Sequence, residues 1–119
     1  MQRILRATLN TLNGLRAAAT SEAAFRQELF LFALSVPLAI LIATDNWKRL
    51  LLMLMVLFIM VVELLNTAIE KLADRVTTEH DPIIGRVKDM GSAAVGLSLL
   101  MAGMVWLLAI WERISGLLG

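Results

Sequence analysis

The 119-residue chain contains no cysteine and a single histidine, His80. The first absence excludes disulfides, thiolate metal sites and cysteine nucleophiles, and leaves the compartment open. The second excludes an imidazole-built zinc centre, since one ring cannot hold the ion alone. Charge is scarce too. Asp, Glu, Lys and Arg make up 18% of the residues, and 11 basic against 10 acidic side chains leave a formal net charge of +1. No global field points to nucleic acid or to an acidic substrate. Walker-type glycine loops, the protein-kinase catalytic loop and other standard nucleotide motifs are missing, as are internal repeats and low-complexity linkers.

Apolar residues are abundant instead, at 59% of the chain. That exceeds what a soluble core of this size can hide, so residues 1–119 read as one integral membrane domain. Three apolar segments stand out, Leu29–Thr44, Leu50–Ile69 and about Met90–Trp111, against the roughly 20 residues a spanning helix needs. The first is short and is completed by its flank Glu22–Glu28, because a helix can start among the headgroups and enter the hydrocarbon obliquely. Pro37 is tolerable within it, since neighbouring helices can satisfy the carbonyl it frees. The expected fold is all-α: a surface helix over residues 1–20 and spans over 22–44, 47–74 and 82–113. No short apolar h-region with a small-residue cleavage site follows the basic start, so no cleaved signal peptide is expected.

Sorting the basic residues orients the chain. Arg3, Arg6, Arg16, Arg26, Lys71, Arg75, Arg86 and Lys88 fall before the first span or between the second and third, whereas Lys48, Arg49 and Arg113 fall on the other side. This excess places the N-terminus and the second loop in the cytoplasm and the C-terminus outside. Trp47, Trp106 and Trp111 suit an aromatic belt on that outer side.

Ahead of the first span, Ile4, Leu5, Leu9, Leu12 and Leu15 occupy one arc of a helical wheel, and Arg3, Arg6, Asn10 and Asn13 the opposite arc. The pattern is that of a helix lying in the membrane interface, for which simple anchoring is the plainest role. A break follows, with Thr20 or Ser21 expected to cap the next helix. Asp81 is a good N-cap for the third span, with Pro82 at its first position.

The informative stretch is "VVELLNTAIEKLADR", Val61 to Arg75, where polar groups interrupt an oily run. Glu63, Asn66, Thr67, Glu70 and Asp74 share one face of a helix. At about 1.5 Å rise per residue, Glu63 lies about 10 Å deeper than Glu70. An ionisable group inside a span needs a partner, a metal or a water-filled cavity, so the stripe is a site candidate, with a polar contact between helices as the alternative. Gly85, Lys88, Asp89 and Ser92 share a face at the start of the third span, where Lys88 can offset the carboxylates. Gly91, Gly96 and Gly103 are small enough to let helices approach closely. Three spans cannot easily wrap such a stripe away from lipid, so self-association is expected. A deep carboxylate can serve as base toward a lipid hydroxyl, and an interfacial one can meet a metal held by phosphates, carboxylates suiting the hard-oxygen preference of magnesium.

Three blocks add more: "EAAFRQE" at Glu22–Glu28, "VELLNTAIEKLADR" at Val62–Arg75 and "GRVKDMGSAAV" at Gly85–Val95. Together they resemble the signature blocks of prokaryotic diacylglycerol kinases, in order and over nearly the whole chain. The resemblance implies a homotrimer of the bacterial inner membrane, with active sites between subunits. Its activity would be transfer of the γ-phosphoryl group of MgATP to diacylglycerol, giving phosphatidic acid. Carried over by motif, Glu63 would be the general base and Asn66 its polar neighbour, while Glu22 and Glu70 would bind the magnesium on ATP. Lys88 and Asp89 would contact the nucleotide, with Arg3, Asn10, Glu79 and Asp81 at further nucleotide-side positions. Arg3, Arg16, Ala24, Phe25, Arg26, Gln27, Glu28, Glu63 and Ser92 would line the lipid cleft, although Arg26 equally suits a membrane-surface anchor.

Two departures stand out: the surface helix has no tryptophan or tyrosine, and His80-Asp81-Pro82 is a local variation. An undecaprenol kinase shares the fold, but "KDMGSAAV" resembles the diacylglycerol branch more. A non-enzymatic subunit or proton-conducting oligomer is the remaining alternative. It would need polar positions continuing outward from Glu63, where the chain has Ile59, Met60, Val61 and Val62.

Overall fold

The computed structural model describes residues 1–118, so Gly119 lies outside the described residues. It contains α1 (Gln2–Ser21), α2 (Ala23–Ile42), α3 (Asn46–Val76) and α4 (Pro82–Leu118). The last three are long and apolar enough to cross a membrane, in line with the expected all-α membrane fold. α3 lies in the middle and packs along both α2 and α4, which barely meet, while α1 leans on α2. The result is a flat layer of 58 × 42 × 22 Å with apolar side chains on both faces. Only 11–17% of each spanning window is buried within the chain, so its apolar surface faces lipid or another chain rather than its own core.

The connections follow from local chemistry. α1 stops at Glu22, whose backbone is extended at φ −115°, ψ 110°. The expected cap at Thr20 or Ser21 is not formed. Their hydroxyls turn back instead, Thr20 donating to Arg16 O at 2.9 Å and Ser21 to Ala17 O at 2.6 Å. Such back-bonding competes with onward propagation of the helix. Arg26 then reaches from α2, its Nη1 donating to Ala19 O and Thr20 O at 3.1 Å each. A cation is favourable at those terminal carbonyls, and here it fixes the elbow between α1 and α2.

Asp45 caps α3 by accepting from Lys48 N at 2.9 Å. Asp81 caps α4 by accepting from Ile83 N at 2.8 Å and Ile84 N at 3.2 Å, with Pro82 at the first helical position as expected. Pro37 stays inside α2, which continues to Ile42.

Two small apolar clusters hold the layer together. One joins Ala18, Phe25 and Met60 with Phe32 and Leu64 packed against it, and so ties the elbow to α3. The other joins Ala39, Ala43 and Leu52 to Val105, Trp106 and Ala109. Trp106 belongs to this packing rather than to an exposed belt, donating from Nε1 to Leu52 O at 3.0 Å. Trp47 and Trp111 are exposed, as belt residues would be. Near the same end, Lys48 and Glu112 pair at 2.7 Å and close α3 against α4.

Candidate active site

Because α2 and α3 lie side by side, Glu28 comes near Glu63 on the polar face of α3, and Glu22 at the elbow meets the flank of α3 at Lys71. Glu63 interacts electrostatically with Glu28, Glu22 and Glu70, so four carboxylates share one neighbourhood. Glu63 is half-buried and sits beside Thr67. Asn66, one turn from Glu63, is only 8% exposed, and its Nδ2 donates to Glu70 Oε1 at 3.1 Å. That bond holds the outer carboxylate against the stripe.

Asn66 Oδ1 is buried with no hydrogen-bond partner among the described residues, and so is Glu28 Oε2. A buried acceptor without a donor is costly, and such groups gather where a ligand or water completes the set. Gly91 is the reason Asn66 fits: a Cβ there would overlap Asn66 Oδ1. Gly96 and Gly103, expected to serve close helix approach as well, have no atom within 4 Å of a virtual Cβ inside the chain. Of these three glycines, Gly91 is therefore the one that serves the approach of α4 to α3 within the chain.

Lys88 offsets a carboxylate of the stripe, the outermost one. Lys88 forms an ion pair with Asp74 rather than with Glu63 or Glu70. Glu22 pairs with Lys71, Nζ to Oε1, at 2.7 Å. Lys71 was not among the candidates read from the sequence, because it lies off the polar face of α3. Its place directly after Glu70 in a signature block was the available signal.

Two cavities flank the carboxylates. A groove of about 470 Å³ runs between α1 and α3, lined by Asn10, Gly14, Leu15 and Ala18 on one side and Leu64, Thr67 and Lys71 on the other, with Glu22 at the elbow. Its walls are mostly apolar. A second, polar cavity of about 350 Å³ lies at the α3–α4 connection and is lined by Thr77, Glu79, His80, Asp81 and Lys88 among others.

Glu79 and Lys88 thus share the polar cavity with Asp81, whose carboxylate is engaged in capping. Arg3 and Asn10 line an open surface on α1, and Arg16, Ala24, Gln27, Asp89 and Ser92 are exposed. Phe25, expected on the lipid cleft, is packed inside the chain. It is 2% exposed and belongs to the core cluster with Ala18 and Met60, because an aromatic ring at the elbow gains more from apolar burial than from a wet cleft.

No three metal-ligating side chains converge among the described residues. The two residues expected to hold magnesium would offer hard oxygens, Glu22 with one contact to Lys71 and Glu70 with one to Asn66. This donor set fits magnesium that arrives on a phosphate chain, because that ion is held by one or two carboxylates with phosphate and water completing its shell.

An all-helical layer with three helices long and apolar enough to span, and with carboxylates gathered near the α1–α2 elbow, defines an integral membrane protein with a candidate site. Comparison with known proteins carries this further. A model of the prokaryotic diacylglycerol kinase family matches residues 9–110. Relatives named diacylglycerol kinase include those of Escherichia coli strain K12, 43% identical over 93% of this chain and 91% of its own, and Pseudomonas aeruginosa, 42% identical over 89% and 86%. That of Haemophilus influenzae is 39% identical over 87% of each chain. The chain belongs to the prokaryotic diacylglycerol kinase family.

Proposed function

We propose that the protein transfers the γ-phosphoryl group of MgATP to the free hydroxyl of diacylglycerol, forming phosphatidic acid at the cytoplasmic face of the bacterial inner membrane. The observation that carries this reading is the meeting of Glu63, Asn66 and Glu70 on α3 with Glu22 and Glu28 from the elbow, in a chain of this family.

Glu63 takes the proton of the lipid hydroxyl as its oxygen bonds to the γ-phosphorus, and the bond from that phosphorus to the β–γ bridging oxygen breaks to release ADP. Glu63 reaches the acceptor from the membrane side, whereas Glu70, about 10 Å nearer the interface, faces the nucleotide. Asn66 links the two levels by holding Glu70. Glu22 and Glu70 supply the protein ligands of magnesium, which when bound neutralises phosphate charge and orients the phosphoryl group. The apolar groove beneath α1 suits an acyl chain, and Glu28 lies where the glycerol would pass. The polar cavity with Glu79 and Lys88 suits the nucleoside end, with Asp89, Arg3 and Asn10 on the same side. Positioning and electrostatics then supply most of the rate.

The working unit is proposed to be a homotrimer, with the N-terminus cytoplasmic and the C-terminus periplasmic. Conduction along the stripe is disfavoured by Met60, which is buried in apolar packing just outward of Glu63. The test is transfer of labelled γ-phosphate by purified protein in mixed micelles, offering diacylglycerol and undecaprenol separately, with and without magnesium. Magnesium-dependent label in phosphatidic acid is expected. Label confined to undecaprenyl phosphate overturns the acceptor, and no label from folded oligomer overturns the enzymatic reading.

A further inference from the structure

Lys71 belongs neither to the polar stripe nor to the residues carried over by resemblance, yet its ammonium lies 2.7 Å from Glu22 Oε1. At about 100° per residue it projects from α3 to one side of Glu70, toward the elbow. Glu22 is the N-cap residue of α2, a position whose side chain commonly bonds to the N–H groups of its own helix. Glu22 makes no such bond among the described residues. Its carboxylate is instead engaged by Lys71, on the flank of α3 rather than on the face that carries Glu70.

The two ends of this pair differ in exposure. The Glu22 side chain is 27% exposed and that of Lys71 62%, so the lysine sits on the solvent side with a long flexible stem. A monovalent ammonium so placed is a weak, replaceable counter-ion. A divalent cation brought by a phosphate chain attracts the same carboxylate more strongly and displaces the ammonium into solvent.

We propose that Lys71 competes with the divalent metal for Glu22, so that the Lys71–Glu22 pair sets how much free magnesium the site needs before it binds nucleotide. The inference rests on the metal-binding reading of Glu22 given above. A purely structural pair, stapling the elbow to α3, is the competing account, and the two respond differently to magnesium.

The experiment is equilibrium binding of a fluorescent, non-hydrolysable ATP analogue to the full chain in detergent micelles while free Mg²⁺ is titrated, alongside thermal unfolding. Lys71→Met is expected to lower the magnesium midpoint about threefold, and at most about fivefold, the limit set by so exposed a pair. Lys71→Arg, which keeps the pairing charge, is expected to restore the wild-type midpoint. Glu22→Gln is expected to raise the midpoint and to make it indifferent to Lys71→Met, since the two residues then no longer interact. A midpoint unchanged or raised in Lys71→Met, with or without lowered thermal stability, overturns the counter-ion role and leaves the proposed function standing. Nucleotide binding by the wild-type chain that ignores magnesium overturns the metal reading of Glu22 and this inference together.

Discussion

Gly91→Ala tests the site through a single added carbon. The new Cβ would overlap Asn66 Oδ1, so the amide must turn, and turning it breaks the 3.1 Å bond from Nδ2 to Glu70 Oε1. Overpacking of this kind costs about 1–3 kcal/mol. The lost bond to a partly solvated carboxylate adds about 1 kcal/mol, and the better helix propensity of alanine returns about 1 kcal/mol. The net expected destabilisation is therefore about 1–3 kcal/mol, measured by denaturant titration in mixed micelles. Activity should fall further than stability alone explains, because Glu70 loses the contact that orients it. Removing the obstacle in the same chain provides the control. In Gly91→Ala/Asn66→Ala there is no amide to displace, so the double variant should lose less than the sum of the single losses by about the overpacking cost plus the one bond that both single changes remove. Gly116→Ala, with open space where its Cβ would lie, should be neutral to stabilising by up to about 1 kcal/mol. Strict additivity of the two changes, or a Gly91→Ala protein with wild-type stability and turnover, would refute the reasoning.

Four further outcomes are expected. Glu63→Gln should lower turnover by about 10²-fold or more while sparing nucleotide binding, as loss of a general base does; normal turnover would remove the base assignment. Glu70→Gln should instead weaken magnesium-dependent nucleotide binding, read as a rightward shift of the magnesium titration. Asp81→Ala removes two capping acceptances at the start of α4 and should cost about 1 kcal/mol, with faster hydrogen exchange confined to the first turn. Arg26→Ala frees the last carbonyls of α1 and should raise hydrogen exchange around Ala19–Ser21, whereas a residue that only contacts lipid would leave the elbow protected.

The helices were legible in the sequence because their signals are local. Apolar runs of spanning length, Asp81 ahead of Pro82, and a polar face repeating at helical spacing from Glu63 to Asp74 are each read from neighbouring residues. Relations between helices were less legible. The polar stripe identified Glu63 and Glu70, yet the partners of Lys88 and Glu22 depend on which flank of α3 meets the elbow and which meets α4. Lys88 could be placed near carboxylates from its face on α4, but its choice of Asp74 follows from the register of the α3–α4 packing. Phe25 shows the same limit, since its block resembles a lipid cleft while its ring turns inward to Met60.

The elbow explains why these separately readable elements form one site. Thr20 and Ser21 bond backward at the end of α1, Arg26 holds the freed carbonyls from the far side, and Phe25 anchors the junction in apolar packing. Between them Glu22 takes an extended backbone and turns its carboxylate out to α3. A continuous helix through this point would carry Glu22 onward with the regular helical rotation, and the surface helix could not fold back over the groove that Leu64 and Thr67 line. The break thus does for the candidate site what a loop does in many soluble enzymes: it places a charged group at the junction of rigid elements, here beside α3. It follows that changes weakening the elbow, though distant from Glu63, should act on metal and nucleotide first and on the lipid end of the site only afterwards.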